Sequence, residues 1–353
     1  MLPKPHVFAL ALLLAAAAAA FPAAAPPAPP PAGPPSVYVE VARNQIDFRF
    51  GKALAASYVI DPKAAKPYFW PLNAPNGEPI TRGWPMIPEA GSQTDHVHQK
   101  SAWFCYGDVI PEGIKLKHII RGVEGVDFWS EAKGHGKIVC TEVGAVLQDR
   151  NHGRVVTLNE WRTADDVRIL DEKRAIHLYN YGEAQLFVLD IDLYASVVPI
   201  TFGDTKEGAL GVRVRTGLTE DRGKGKLTNA EGKTGEGKGS NRDKTGCWGL
   251  VSKWCDYSGP VGRTTAGITV FADPTNPYAT AWHARGYGLL AANPFGRAKS
   301  GFPAMKGNKE LVKLAKGEHL KLRYGIFLHL DDVKDGRVAE YYDRFVALKK
   351  SEG

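Results

Sequence analysis

Long apolar runs are the first thing this 353-residue sequence lacks. Beyond Ala25 no stretch of about 18 apolar residues occurs, which excludes a multi-span helical membrane protein. Basic blocks are missing too. The 45 Lys+Arg against 38 Asp+Glu leave a net charge of only +7, scattered and interleaved with glycine and acids. Nucleic acid is therefore not an expected partner. Cysteine is scarce, at four, and no Cys-x-x-Cys occurs, so a thiolate zinc site or a dithiol redox motif is not expected. No Gly-x-Gly-x-x-Gly opens a helix and no βαβ rhythm runs along the chain, which argues against a dinucleotide fold.

Turn formers and alternating apolar residues are abundant. With 38 Gly, 24 Pro and 44% apolar residues, the chain has the make-up of a turn-rich globular protein. Period-two patterns mark strands at Leu54–Ile60, Lys137–Val143, Arg154–Leu158, Gln185–Leu193, Ala266–Phe271 and Leu320–Leu328. One helix is expected at Arg337–Lys350, with Val338, Tyr341, Tyr342, Phe345 and Leu348 on one face. The fold class is all-β, a large antiparallel β-sandwich with a short C-terminal helix. Gly223–Gly246 has almost no apolar residue and reads as a long loop.

The N-terminus has the layout of a secretory signal peptide. Lys4 precedes the Ala/Leu run Val7–Ala20, and Ala23-Ala24-Ala25 offers a cleavage site. The expected organisation is a signal peptide over 1–25, a stiff proline-rich spacer over 26–36 and a single sandwich domain over 37–350. Export implies a periplasmic or extracellular location with no membrane span after cleavage. It also makes a Cys247–Cys255 disulfide reasonable, since a hairpin could join them in an oxidising compartment. Cys105 and Cys140 lie in separate apolar runs and read as free thiols.

Three segments carry residues suited to chemistry. In Asp95-His96-Val97-His98, an extended backbone would project His96 and His98 from one face, with Val97 packed behind. Two imidazoles so placed suit proton transfer or, alternatively, a divalent metal. Trp103, Tyr106 and Asp108 follow within about a strand's length. In Trp282-His283-Ala284-Arg285-Gly286-Tyr287, alternation puts His283 and Arg285 on one face. Arg would clamp carboxylates or vicinal hydroxyls, and Trp would offer a flat surface to a sugar ring. Phe202-Gly203-Asp204-Thr205-Lys206-Glu207-Gly208 reads as a charged turn at a sheet edge, open to close approach of a ligand.

Taken in order, these segments resemble exported bacterial proteins labelled "PmoA family" or "methane oxygenase PmoA-like". The resemblance runs from about Val37 to Lys349. It rests on Pro67-Tyr-Phe-Trp-Pro-Leu72, Thr81-Arg82, Asp95-His-Val-His98 with Lys100-Ser101, Gly107-Asp108-Val109, Gly125-Val-Asp-Phe-Trp129, Phe202–Gly208, Trp282–Gly288 and Asn293-Pro-Phe-Gly296. Val97 and Gln99 stand where the family commonly has Pro and a further His. Ala284 replaces a usual Val, and Ile110–Val123 looks like an insertion. Methane oxidation is rejected, because the subunit of that name is an integral membrane protein and no spanning helix exists here. What the resemblance implies is a galactose-mutarotase-like β-supersandwich that binds sugars on a concave sheet. Catalysis would then fall to His96, His98, Asp108, Asp204, Lys206, His283 and Arg285. Substrate binding would fall to Arg82, Trp103, Trp129, Trp282, Tyr287 and Asn293. Three functions stay open: a carbohydrate epimerase, lyase or hydrolase-like enzyme, a non-catalytic sugar-binding module, and a metal-dependent enzyme using His96 and His98. The expected ligand is a small molecule or oligosaccharide, and no cofactor is required by the sequence.

Overall fold

The computed structural model describes residue 1 and residues 36–237 and 246–350, so the expected signal peptide apart from Met1, and nearly all of the expected spacer, lie outside the described residues. Among the described residues, eight strands form one antiparallel sheet and nine form a second, with a small three-stranded sheet beside them. The architecture is the large antiparallel β-sandwich the alternation predicts. Gln185–Leu193 becomes the strand Ala184–Tyr194, Leu320–Leu328 becomes His319–Leu330, and Lys137–Val143 is a strand within those same bounds. Alternation does the layering. Along Ala184–Tyr194, Phe187, Leu189, Ile191 and Leu193 enter the core between the sheets, and Leu186 and Val188 face the other way.

Aromatic rings tie the two sheets together. Phe48 and Phe69 of the first each meet Phe187 of the second with centroids 5.4 Å apart. A buried ion pair lies in the same layer. Arg174 Nε donates to Glu172 at 2.5 Å, and Trp161 Nε1 donates to the other Glu172 oxygen at 2.7 Å.

The C-terminal helix is Val338–Ala347, and its buried Val338, Tyr341, Tyr342 and Phe345 pack on Phe271 and Phe327 of the second sheet's outer face. That contact explains why the strands beneath it read as nearly unbroken apolar runs. They are covered on both faces.

Two expectations are corrected. Within Gly223–Gly246, Lys226–Asn229 is a strand paired with Trp254–Val261, because its one apolar residue, Leu227, is fully buried. The stretch 238–245 lies outside the described residues. Cys247 and Cys255 are buried neighbours but free thiols, not a disulfide. Burial, then the Cys247 thiol, pushes the Cys255 thiol well above its ordinary range.

Candidate functional site

Five adjacent strands of the eight-stranded sheet build the site: Tyr68–Leu72, Ala102–Tyr106, Gly208–Arg213, Leu289–Asn293 and Ala281–Arg285. Their register draws one line of residues across the sheet. Tyr68 stands opposite Trp103, Trp103 opposite Gly211, Gly211 opposite Ala291, and Ala291 opposite His283. Directly paired residues share a face. The alternate line, Phe104, Leu210, Ala292 and Trp282, faces the other sheet, where Phe104 meets Trp161, so the line through His283 lies on the outer face. The neighbouring line holds Arg213, Leu289 and Arg285. Gly211 is required here, because a Cβ would sit 2.6 Å from Trp103 Cζ2.

The segment from Arg82 to Lys100 folds over this face, held by two buried guanidinium groups. Arg82 donates to Asp95 at 2.7 Å and to the carbonyls of Gln93, His96 and Gln99. Arg213 donates to Asp95 at 2.8 Å, Gln93 at 2.6 Å and Gln99 at 2.5 Å. Burial, then Arg82, lowers the Arg213 guanidinium to about 10. Burial works to raise the Asp95 carboxyl, but Arg213, His96 and Arg82 outweigh it and hold it below the usual range.

The histidine motif is therefore a turn, not a strand. Gln99 N–H closes it onto the His96 carbonyl at 2.9 Å, and His96 has φ 45°. Val97 points to solvent at 50% exposure and packs behind nothing. The two imidazoles still meet edge to face, with centroids 5.6 Å apart. His96 Nδ1 bonds Asp95 Oδ2 at 2.7 Å, and its ring stacks on Tyr287 at 5.1 Å. His98 leans on Trp129, and burial followed by Lys66 and His96 lowers it to about 3.

Contacts continue from this turn to His283. The Arg285 guanidinium lies 5.1 Å from the Tyr287 ring and 5.4 Å from the Trp248 ring, and Trp248 meets His283 edge-on at 5.0 Å. His283 is 1% exposed. Its Nδ1 donates to the Lys206 carbonyl at 3.0 Å, which leaves Nε2 as the acceptor of a neutral ring. That Nε2 is buried with no hydrogen-bond partner. Burial, then Arg285 and Lys206, holds His283 well below its ordinary range. His96, His98, Arg285, Tyr287 and His283 thus form one connected cluster, with the Lys206 backbone at its edge. The Lys206 ammonium pairs with Glu207 at 3.1 Å.

Other expected site residues are committed to the fold. Asp108 accepts the backbone N–H groups of Gly125 at 2.6 Å and Glu124 at 3.3 Å. Asp204 accepts those of Arg297, Lys299 and Ser300, holding a short 3-10 turn. Asn293 is fully buried, bonded to the Thr205 carbonyl and to the N–H groups of Phe295 and Gly296. Trp282 is a core residue donating to the Ser252 carbonyl, and Arg82 serves the turn described above. Trp103 and Trp129 are each 1% exposed and pack on each other at 4.9 Å, so neither offers a free stacking surface. Tyr287 is covered by His96 on one side and lies 4.5 Å from the Arg213 guanidinium.

Arg213, Trp248, Lys66 and Glu131 escaped the sequence reading, and Lys100, noted there only within a motif, was given no role. Glu131 bonds both lysines, at 2.8 and 2.7 Å, and Lys66 is 2% exposed. The one available signal was Arg213 itself, a lone charge closing the apolar run Ala209–Val212. Among the described residues no group of three His, Cys, Asp or Glu side chains is arranged to hold a metal ion.

Fold and site together define an antiparallel β-sandwich with a polar cluster on one sheet's outer face. The chain belongs to DUF6807, a family of unknown function, whose model matches residues 45–343. That, and not the methane-oxygenase label, is the family shown. No curated protein matches the sequence. Among solved structures, the chain is similar to a galactose mutarotase-like protein from Clostridium acetobutylicum, at 10% identity and TM-score 0.38, covering 84% of this chain and 98% of that one. Galactose 1-epimerase from Lactobacillus acidophilus matches at 9% identity and TM-score 0.39, with the same coverage of 84% and 98%. A beta-arabinopyranosidase matches at 9% identity and TM-score 0.38 over 78% of this chain, which spans only 38% of that protein.

Proposed function

We propose that this protein binds a monosaccharide or short oligosaccharide on the outer face of the eight-stranded sheet and carries out acid–base proton transfer on it. The observation that carries the reading is His283 Nε2. A buried acceptor left unpaired is costly, and a sugar hydroxyl entering the cluster would supply its missing hydrogen. Held neutral by burial and neighbouring cations, His283 and His98 offer unprotonated ring nitrogens that accept hydrogen bonds from sugar hydroxyls. His96, its Nδ1 held by the Asp95 carboxylate, is the imidazole assigned to the proton exchange with the sugar, through Nε2. Arg285 is fixed by Glu236 at 2.9 Å and presents hydrogen-bond donors to ring hydroxyls.

Covered aromatics favour this enzyme reading over a purely stacking sugar-binding module. Trp103, Trp129 and Tyr287 are already packed, whereas titratable groups gather in the cluster.

The test is a panel of sugars and oligosaccharides offered to the purified protein, with binding and turnover read with and without chelator. His283→Ala should reduce turnover at least about 100-fold and leave the melting temperature within a few degrees. A wild-type protein inert toward the whole panel, or a variant that unfolds, counts against the proposal. Chelator-sensitive activity restored by a divalent ion would transfer it to the metal-dependent reading.

Export is part of the same proposal, motivated by the Lys4, Ala/Leu and Ala-Ala-Ala order. Protein recovered from the cell envelope should begin near Pro26, and an intact Met1 there would refute export with cleavage.

A further inference from the structure

A cavity of about 430 Å3 lies on the outer face of the nine-stranded sheet, on the other side of the sandwich from the histidine cluster. Register assembles it. Arg154 stands opposite His177, Ala175 opposite Asp190, and Lys173 and Lys321 on either side of Asp192. Ile191 and Leu322 also line it, but their side chains belong to the inter-sheet core, so they give it backbone only. The floor between the charges is the small Ala175.

The charge balance is one-sided. Five cations border the cavity, namely Arg154, Lys173, Lys321, Arg323 and Lys350, against the carboxylates Asp190 and Asp192. Both acids are engaged. Asp190 accepts from Arg323 at 2.9 Å and faces His177 Nε2 at 3.3 Å, and Asp192 bonds His319 at 2.8 Å. Lys350 lies 3.6 Å from Asp273. Arg154, Lys173 and Lys321 form no ion pair among the described residues, and Arg154 Nε is buried without a hydrogen-bond partner.

We propose that this cavity is a second binding site, selective for a small anion: a carboxylate or phosphate ester on a body of about monosaccharide size. Three unpaired cations around one concavity repel one another, and an anion would relieve that repulsion while giving Arg154 Nε an acceptor. A guanidinium fork beside two ammonium groups suits the charge and planarity of such oxyanions. The volume falls in the lower part of the range of small-molecule pockets, about 300–1,000 Å3. This proposal is independent of the histidine site.

Calorimetry on the full chain tests it with four probes: glucuronate, glucose 6-phosphate, inorganic phosphate and neutral glucose. At least one anionic probe should bind, and its affinity should fall at least about tenfold in Lys173→Gln/Lys321→Gln and again at about 500 mM salt. His283→Ala should leave that affinity within about twofold, since it lies on the other sheet. Binding of glucuronate alone identifies a carboxylate ligand, and binding of the phosphates alone a phosphate ligand. Arg154→Gln is the second variant, expected to weaken the same probe. The proposal is overturned by a wild type that binds no anion, by affinity unchanged in both variants, or by affinity lost in His283→Ala and kept in the lysine pair.

Discussion

At the residue scale, the histidines differ by what surrounds them. His98 is pressed between Trp129 and the charges of Lys66 and His96, and stays neutral down to about pH 3, against an ordinary 6.5. Between those values the unfolded chain binds a proton that the native protein refuses, so native stability falls as pH drops from about 6.5 toward 3. His98→Asn should remove that sensitivity. Urea midpoints at pH 7 and 4.5 should differ less in the variant than in the parent, by the equivalent of at least about 1 kcal/mol. Parallel acid sensitivity in the two proteins would show that His98 is not the group responsible. The sequence motif exposed the identity of this residue but not its state. A His-x-His pair says nothing about Lys66, which comes from another segment and is 2% exposed.

At the scale of elements, period-two alternation found six strands and the helical period found the helix face, but strands such as Arg168–Asn180, Ala102–Tyr106 and Gly208–Arg213 were not read. Val338, Tyr341, Tyr342 and Phe345 are the residues the helix buries. Phe345 meets Phe271 at 5.6 Å and is fully buried, so Phe345→Ala should cost about 3–5 kcal/mol in urea unfolding. It should leave sugar binding at the histidine face intact in the folded fraction. An effect below about 1 kcal/mol would mean the helix is dispensable to the second sheet. Alternation also put His283 and Arg285 on one face of their strand, as the register shows. It failed at Asp95–His98, where two arginines far apart in sequence impose a turn on a segment with no strand partner. It also could not tell a carboxylate in a site from one holding a loop. Asp108 and Asp204 each follow a glycine in sequence, but the backbone N–H groups they hold come from Gly125 and Arg297 in later segments, which the sequence does not display.

At the scale of the whole molecule, strand order matters more than strand content. The eight-stranded sheet joins Val37–Val41 through Ala102–Tyr106 to Gly208–Arg213 and then to strands beyond residue 280. In the other sheet, the last strand, His319–Leu330, is inserted between Thr264–Ala272 and Ala184–Tyr194. Such non-local pairing predicts refolding on the millisecond-to-second scale or slower after dilution from urea, read by tryptophan fluorescence. A microsecond single phase would contradict it. The same strand order governs what happens on the ribosome. Until residue 330 has emerged, the nascent chain has a gap in the middle of one sheet, and until Asn293 has emerged the strand that carries His283 lacks the neighbour that joins it to the other sheet. About 330 residues are thus made before the second sheet can close, although local hairpins such as Val37–Val41 with Gln45–Phe50 can pair earlier. The strands that flank the gap stay open to proteases, chaperones and neighbouring chains until His319–Leu330 arrives.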